Sequence, residues 1–272
     1  MLTLRRLARD LGGLGIVTVL LLLVSVLPPD TSLEEVKANG AIRACIPTAY
    51  PPLVTSDPDR PGIDIELLRE VADHIGVELL LSPNDAIGRD FNPRHWAVNR
   101  GKCQMLAGGV VDSALTRSFL ETGPPYAETG WAFLAPEPLG NVEGLTIGAL
   151  TLVSGLDRIG LSSYLRAHDV AVRVLRNENA LVDGLANGEL DAGVTEAILA
   201  GWLAAENGLW VAPLPNELAR YNLVFGIWKG DLTLKRKIDQ AFRQLESDGT
   251  LATILERYGA AQIGRNAPVP DL

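Results

Sequence analysis

One carboxylate, Glu196, stands where a short apolar strand predicted over residues 191–195 gives way to a helix predicted over residues 197–206. Ligands of open α/β sheets bind beyond the carboxyl ends of the parallel strands, so an acid in this place suits a cationic group such as an ammonium. The same side chain could instead cap the helix, because a carboxylate is favoured at a helix N-terminus. The spacing leaves both interpretations open.

The elements that must position Glu196 follow from apolar runs bounded by glycine and proline. Strands are predicted over residues 42–46, 77–81, 103–107, 131–135, 145–150, 170–175, 191–195 and 222–228. Helices are predicted over residues 32–39, 63–75, 96–100, 162–167, 180–186, 197–206, 232–247 and 251–258. The alternation from residue 145 to residue 195 is typical of a doubly wound βαβαβ unit.

Composition excludes several function classes. The 272 residues carry a formal net charge of -9, which argues against a nucleic-acid partner. The three histidines are scattered, and no Cys/His cluster has the spacing of metal ligands. We therefore expect neither a metal nor a cofactor.

The N-terminus resembles an export signal. Arg5, Arg6 and Arg9 precede an apolar run over residues 11–27, and no clear cleavage site follows it. Residues 1–29 are thus predicted to be a signal peptide or an uncleaved membrane anchor. Both alternatives place the bulk of the chain outside the cytoplasm.

Ordered motifs extend over most of the chain. They are Ala49-Tyr50-Pro51-Pro52-Leu53, Gly62-Ile63-Asp64-Ile65-Glu66-Leu67, Gly101-Lys102-Cys103-Gln104, Thr122-Gly123-Pro124-Pro125-Tyr126, Asn187-Gly188-x-x-Asp191-Ala192-x-x-x-Glu196 and Leu245-Glu246-Ser247-Asp248-Gly249-Thr250. In this order the set resembles the bacterial extracellular solute-binding proteins of family 3, the periplasmic proteins of polar amino-acid transporters.

The resemblance implies a two-lobed α/β clamshell of the type II periplasmic-binding fold, with a doubly wound sheet in each lobe. Lobe 1 would comprise residues 30–135 and 222–272, and lobe 2 residues 136–221. It also implies a periplasmic protein that binds a small polar solute, an amino acid or a related carboxylate, and closes on it at a hinge. The partner would be the membrane permease of an ABC transporter.

The resemblance also implies a set of ligand contacts: Tyr50, Phe91, Gly108, Gly109, Arg117, Ser154 and Glu196. Tyr50 and Phe91 would be aromatic walls, and Arg117 and Glu196 would hold opposite ends of a zwitterion. A strict count from Gly109 puts Thr116 rather than Arg117 at the family's arginine position. Arg89 and Arg94, in the loop over residues 88–96, are alternative anion contacts.

Cys45 and Cys103 lie on strands that are neighbours in the resembled sheet, and an exported compartment permits a disulfide. Their offset along the strands leaves free thiols as the alternative.

Two other functions are compatible with the same scaffold. One is a cyclohexadienyl dehydratase-like enzyme in which Glu196 would be the general acid. The other is a membrane-tethered sensor or accessory domain, if the N-terminal helix is retained.

Overall fold

The computed structural model describes residues 15, 16, 18, 19, 29–87, 92–151, 156–214 and 218–260. The chain forms two compact units, Met1–Thr31 and Ser32–Leu272. In the first unit the described residues Gly15, Ile16, Thr18 and Val19 are helical, and most of the predicted signal or anchor falls outside the described residues. Within the described ranges no helix has the length and apolar character needed to cross a membrane.

The second unit alternates strands and helices. The strands are β1 (Ala41–Ile46), β2 (Glu78–Pro83), β3 (Met105–Leu106), β4 (Leu120–Thr122), β5 (Ala127–Thr129), β6 (Trp131–Ala135), β7 (Thr146–Leu150), β8 (Ala171–Leu175), β9 (Ala192–Glu196), β10 (Trp210–Pro213), β11 (Tyr221–Leu223) and β12 (Gly226–Trp228). The helices are α1 (Ser32–Asn39), α2 (Ile63–Ile75), α3 (Ala114–Phe119), α4 (Arg158–Ala167), α5 (Glu178–Ala186), α6 (Ala197–Asn207), α7 (Leu232–Ser247) and α8 (Thr250–Arg257).

Each lobe contains one five-stranded sheet. The first has the order β2-β1-β3-β12-β4 and the second the order β10-β6-β9-β7-β8. β1 is parallel to β2 and β3, and β7 is parallel to β8 and β9, so helices cross between neighbouring parallel strands as in doubly wound folds. The predicted two-lobed α/β class is confirmed.

Two short strands carry the chain between the lobes. β5 follows β4 of the first sheet and precedes β6 of the second, while β11 brings the chain back to β12. β5 and β11 pair antiparallel, with Tyr221 opposite Thr129. Arg220, which directly precedes β11, donates from Nη1 to Oε1 of Glu128 in β5 at 3.0 Å. We call this pair of crossing strands the hinge segment, because it connects the two sheets.

Three of the predicted elements differ most from the structure. β6, which the sequence suggested as a strand leaving lobe 1, is bonded to β9 and β10 of the second sheet, and all five of its residues are buried as in a central strand. The predicted strand 222–228 is split between β11 and β12, because the chain changes sheets there. The predicted helix 96–100 is absent; a short 3-10 turn, Pro93–His95, precedes Ala97, whose φ is 52°. The division at residues 30–135, 136–221 and 222–272 stays a prediction.

The core of the first lobe shows why the helical predictions succeeded. The stripe Ile63, Leu67, Val71 and Ile75 of α2 is buried, as the 3.6-residue spacing predicts. It joins a cluster with Leu234 and other residues of α7, so the two helices pack together against the first sheet. The cluster fixes the start of α2, where the polar Asp64 is also buried.

Cys45 and Cys103 are joined by a disulfide, with their Cα atoms 5.6 Å apart. Cys103 precedes β3 instead of beginning it, because β3 contains only Met105 and Leu106. Cys45 pairs with Leu106 in the sheet register, and the loop before β3 brings Cys103 back beside it. The bond joins the end of β1 to the loop before β3.

Replacing both cysteines with alanine should lower the free energy of unfolding by about 2–4 kcal/mol, because the bond closes a long loop in the unfolded chain. Urea denaturation of the two proteins measures the difference. The unreduced, denatured wild-type protein should show no titratable thiol, whereas the single variant Cys45→Ala should show one. Two thiols in the exported wild-type protein would contradict the bond.

Candidate functional site

Glu196 ends β9 and begins α6, and its side chain is buried, with 4% of the residue exposed. Oε1 accepts a hydrogen bond from the backbone N–H of Ile198, and Oε2 accepts one from that of Leu199, each at 2.9 Å. The hydroxyl of Thr129 donates to Oε1. Because an ionised carboxylate has about four acceptor positions, these donors leave a position on Oε2. Glu196 therefore caps α6, as one of the two interpretations predicted. The cap and Thr129 together occupy three of the roughly four acceptor positions of the carboxylate.

The second buried carboxylate is Asp64, in the first turn of α2. Its Oδ2 accepts from the N–H of Gly108 at 2.5 Å, and its Oδ1 accepts from the hydroxyl of Tyr126 at 2.6 Å. Burial raises the pKa of Asp64 to about 6, although these bonds and one from Gly109 act in the opposite direction. Burial likewise raises the pKa of Glu196.

Tyr50 lies near both carboxylates and packs against Gly109. A Cβ on Gly109 would be 2.4 Å from Cε1 of Tyr50, and a Cβ on Gly108 would be 2.0 Å from Cδ of Pro47. The backbone angle φ is also positive at both positions, 89° at Gly108 and 83° at Gly109, and this conformation disfavours any other residue. The close approach expected at these glycines is therefore to side chains of the chain itself. Burial raises the pKa of Tyr50, and the charges of Glu196 and Asp64 raise it further.

Arg117 does not lie with Tyr50 and the two buried carboxylates. Ser113 caps α3 by accepting from the N–H of Thr116 at 3.0 Å, and Thr116 is fully buried. Arg117, one residue further along the helix, has 55% of its side chain exposed and pairs with Asp112 at 2.6 Å. Successive helical residues differ by about 100° in direction, so the strict count that favoured Thr116 also gives the inward-facing residue. The structure does not bring Arg117 together with Glu196.

The remaining predicted contacts are distributed as follows. Phe91, Ser154 and the alternative Arg89 lie outside the described residues. Arg94 donates to Oγ of Ser118 at 3.3 Å, and its guanidinium lies over the ring of Phe119. It is thereby held against α3.

Sequence reasoning assigned no ligand role to Asp64, Tyr126 or Thr129. The first two lie within motifs that were quoted for the resemblance alone. The sequence did contain an indication for Asp64. This acid lies between two isoleucines at the start of an apolar helical stripe, and a buried acid needs hydrogen-bond partners. Thr129 had no local signal, since its contact with Glu196 joins residues 67 positions apart.

The two lobes also touch through α6. Ile198 belongs to the apolar cluster of the first lobe, and Arg60 of that lobe pairs with Glu206 at 2.7 Å. A groove of about 260 Å³ lies beside this ion pair, with Trp202 and Tyr258 among its lining residues. Both ends of α6 thus contact the first lobe.

Taken together, Tyr50, Asp64, Tyr126, Thr129 and Glu196 form a polar cluster, which we call the interlobe cluster. It contains two carboxylates, and among the described residues neither has a Lys, Arg or His partner. A site of this kind attracts positive charge. No group of three or more His, Cys, Asp or Glu within the described ranges is arranged to hold a metal ion.

A curated protein is similar to the chain in sequence. The chain resembles the membrane-bound lytic murein transglycosylase F of Klebsiella pneumoniae, with 25% identity over 262 residues that cover 90% of the chain and 50% of that protein. The chain therefore spans about half the length of this curated relative.

Solved structures show the same fold. An ancestral cationic amino acid solute-binding protein superposes with a TM-score of 0.69 at 20% identity, over 84% of this chain and 99% of that one. An amino acid ABC transporter substrate-binding protein from Streptococcus pneumoniae bound to L-arginine gives a TM-score of 0.59 at 22% identity, over 84% and 97% of the two chains.

A family model covers most of the chain. Residues 42–261 match the model of the bacterial extracellular solute-binding proteins, family 3. This range includes every residue of the interlobe cluster and both crossing strands of the hinge. The chain therefore belongs to family 3 of the bacterial extracellular solute-binding proteins.

Proposed function

We propose that the protein binds a small solute carrying a protonated amine between its lobes, closes on it, and delivers it to the membrane permease of an ABC transporter. The observation that supports this most directly is Glu196, a buried carboxylate at the carboxyl end of β9 with acceptor capacity left on Oε2. A charge-assisted hydrogen bond to an ammonium would use that capacity. Family membership supports the solute-binding role, and the basic, apolar N-terminus supports a place in the periplasm or tethered to the membrane.

Four of the described residues are proposed as contacts: Tyr50, Gly108, Gly109 and Glu196. The Tyr50 ring would cover the solute, Gly109 would let the backbone lie close to that ring, and Gly108 would let it lie close to Pro47. Glu196 would supply the charge. Because Thr129 of the hinge strand β5 donates to Glu196, the position of this carboxylate is coupled to the hinge.

A dehydratase-like activity is the second candidate, and the raised pKa of Glu196 favours it, since a general acid must hold a proton near neutral pH. The hydrogen bonds that Glu196 accepts stabilise its charged form, which suits binding better than proton donation. Incubation with prephenate should give no turnover. Formation of phenylpyruvate that is lost in Glu196→Gln would establish the enzyme instead.

Closure should be visible in solution. Saturation with the tightest-binding compound from a thermal-shift screen of amino acids and amines should reduce the radius of gyration in small-angle scattering. Glu196→Gln at the same concentration of compound serves as the control and should compact less. An unchanged radius at full saturation of the wild-type protein would exclude the clamshell mechanism.

Glu196→Gln should weaken binding of the same compound by roughly ten- to a hundredfold, because a hydrogen bond to a charged group contributes about 1.5–3 kcal/mol. Isothermal titration calorimetry measures the affinity. Glu189→Gln is the matched control, since Glu189 is an exposed glutamate of the same lobe that pairs loosely with Arg173 at 3.8 Å. If Glu196→Gln remains folded and binds with unchanged affinity, Glu196 is a helix cap alone.

Affinity should also depend on pH. Burial raises the pKa of both carboxylates, that of Asp64 to about 6, and only their charged forms attract an ammonium. Binding should therefore weaken as the pH falls from 8 to 5, by up to about tenfold per pH unit for one titrating group. Calorimetry across this range gives the profile, and Glu196→Gln should remove the part of the pH dependence that Glu196 contributes and leave the part due to Asp64. Tighter binding at pH 5 would contradict the proposed role of the carboxylates.

A further inference from the structure

Strand β8 forms one edge of the second sheet, and four of its five residues are exposed. Among the described strands it pairs with β7 alone. The N–H of Ala171 donates to the carbonyl of Leu145, on the β7 side. Because successive residues of a strand direct their hydrogen-bonding groups to opposite sides, the N–H and C=O groups of Val172 and Val174 point to the open edge.

An apolar groove of about 330 Å³ runs along this edge, between β8 and α4. The side chains of Val172 and Val174 line it, and these two residues are 44% and 76% exposed. Native proteins usually protect an edge strand with charges, prolines or a covering element, which prevents pairing with another chain. On the groove side β8 has two exposed valines instead, so this edge is suited to accept a further strand.

A row of polar side chains on α4 forms the other wall of the groove. Arg158, Ser162 and Arg166 follow one another at intervals of four residues and therefore lie on one side of the helix. Arg158 donates to the carbonyl of Thr151 at 2.6 Å, and Arg166 donates to Oγ of Ser163 at 3.4 Å. Both acceptors are uncharged, so these bonds do not neutralise the guanidinium groups. The groove thus combines an apolar floor with a positively charged wall.

The spacing of the two arginines matches the repeat of an extended chain. The helix rises by about 12 Å over the eight residues from Arg158 to Arg166. Four residues of a strand advance by about 13 Å, and alternate side chains of a strand point to the same face. A strand beside β8 would therefore place side chains i and i+4 against the two arginines and side chain i+2 over the valines.

A second copy of this chain fits the edge less well than a different protein does. Antiparallel pairing that matches the valines of two β8 strands would place Arg173 opposite the same residue of the other copy, and like charges in that arrangement destabilise a sheet. Residues 261–272 of the chain itself contain Pro268 and Pro270, which cannot donate to a strand ladder. The arginines of α4 instead complement an acidic partner.

We propose that β8 binds an extended segment of another protein as a sixth strand of the second sheet, and that this segment carries the pattern acid-x-apolar-x-acid. Main-chain hydrogen bonds with Val172 and Val174 provide the affinity, as in other cases of strand addition. Arg158 and Arg166 select the two acids, because a guanidinium pairs well with a carboxylate. This surface shares no residue with the interlobe cluster and is independent of the proposed solute.

A synthetic heptapeptide with blocked ends, Thr-Glu-Thr-Val-Thr-Glu-Thr, is the probe. In amide NMR spectra of the full-length protein, saturation with this peptide should shift the signals of Val172 and Val174. Their hydrogen exchange should slow by about tenfold or more, because both N–H groups then donate to the added strand. The peptide with lysine in place of both glutamates should bind at least about tenfold more weakly.

Arg166→Gln should weaken binding of the heptapeptide by roughly tenfold, because one charged pair is lost. Arg173→Gln is the matched control, since Arg173 belongs to the same edge strand but alternates with the valines and so faces away from the groove. This control should bind the peptide within about twofold of the wild-type affinity. Both variants should keep the wild-type affinity for the compound found in the thermal-shift screen.

Two further peptides, each N-methylated at alternate residues in one of the two possible phases, separate strand addition from simple occupation of the groove. One of them should lose binding, because it cannot donate to β8. Retention of binding by both would show that the groove holds an acidic amphiphile and would overturn the strand. So would equal binding of the lysine peptide, or no shift of either amide up to about 1 mM of the heptapeptide. Peptide binding without any solute binding would overturn the proposed function and leave this inference standing.

Discussion

A buried carboxylate has to be satisfied, and the way Glu196 meets this requirement organises the centre of the molecule. Its oxygens accept from the first turn of α6 and from Thr129 in a crossing strand. The helix needs the carboxylate because the first N–H groups of a helix have no partners of their own. The start of α6, the end of β9 and the hinge therefore share one side chain, and movement of any of them alters its environment.

Asp64 plays the corresponding part in the first lobe. It joins the start of α2 to the loop after β3 and, through Tyr126, to the segment that leads into the hinge. Tyr126 itself packs against Phe225, on the return segment before β12. Each lobe thus places one buried acid at the carboxyl end of its parallel strands and connects it to a crossing segment.

The sequence predicted what depends on local periodicity. The bounds of α2 and α7 agree with the apolar spacing because each helix buries one regular stripe against a sheet. The assignment of β6 to the second sheet was missed, since an all-apolar strand carries no information about its neighbours. The hinge strands β5 and β11 are too short for any pattern, and the bond from Thr129 to Glu196 depends on the tertiary fold.

In the candidate site, too, the sequence could not predict what depends on the tertiary fold. Glu196 could be identified from its place after a strand, but its dual role as cap and acid required the observed distances. The choice between Thr116 and Arg117 depended on where α3 begins, and the cap at Ser113 fixes that start. A shift of one residue turns a guanidinium from the interior to the solvent, where it pairs with Asp112. The cap at Ser113 therefore decides which of two adjacent residues, Thr116 or Arg117, takes the buried position of α3.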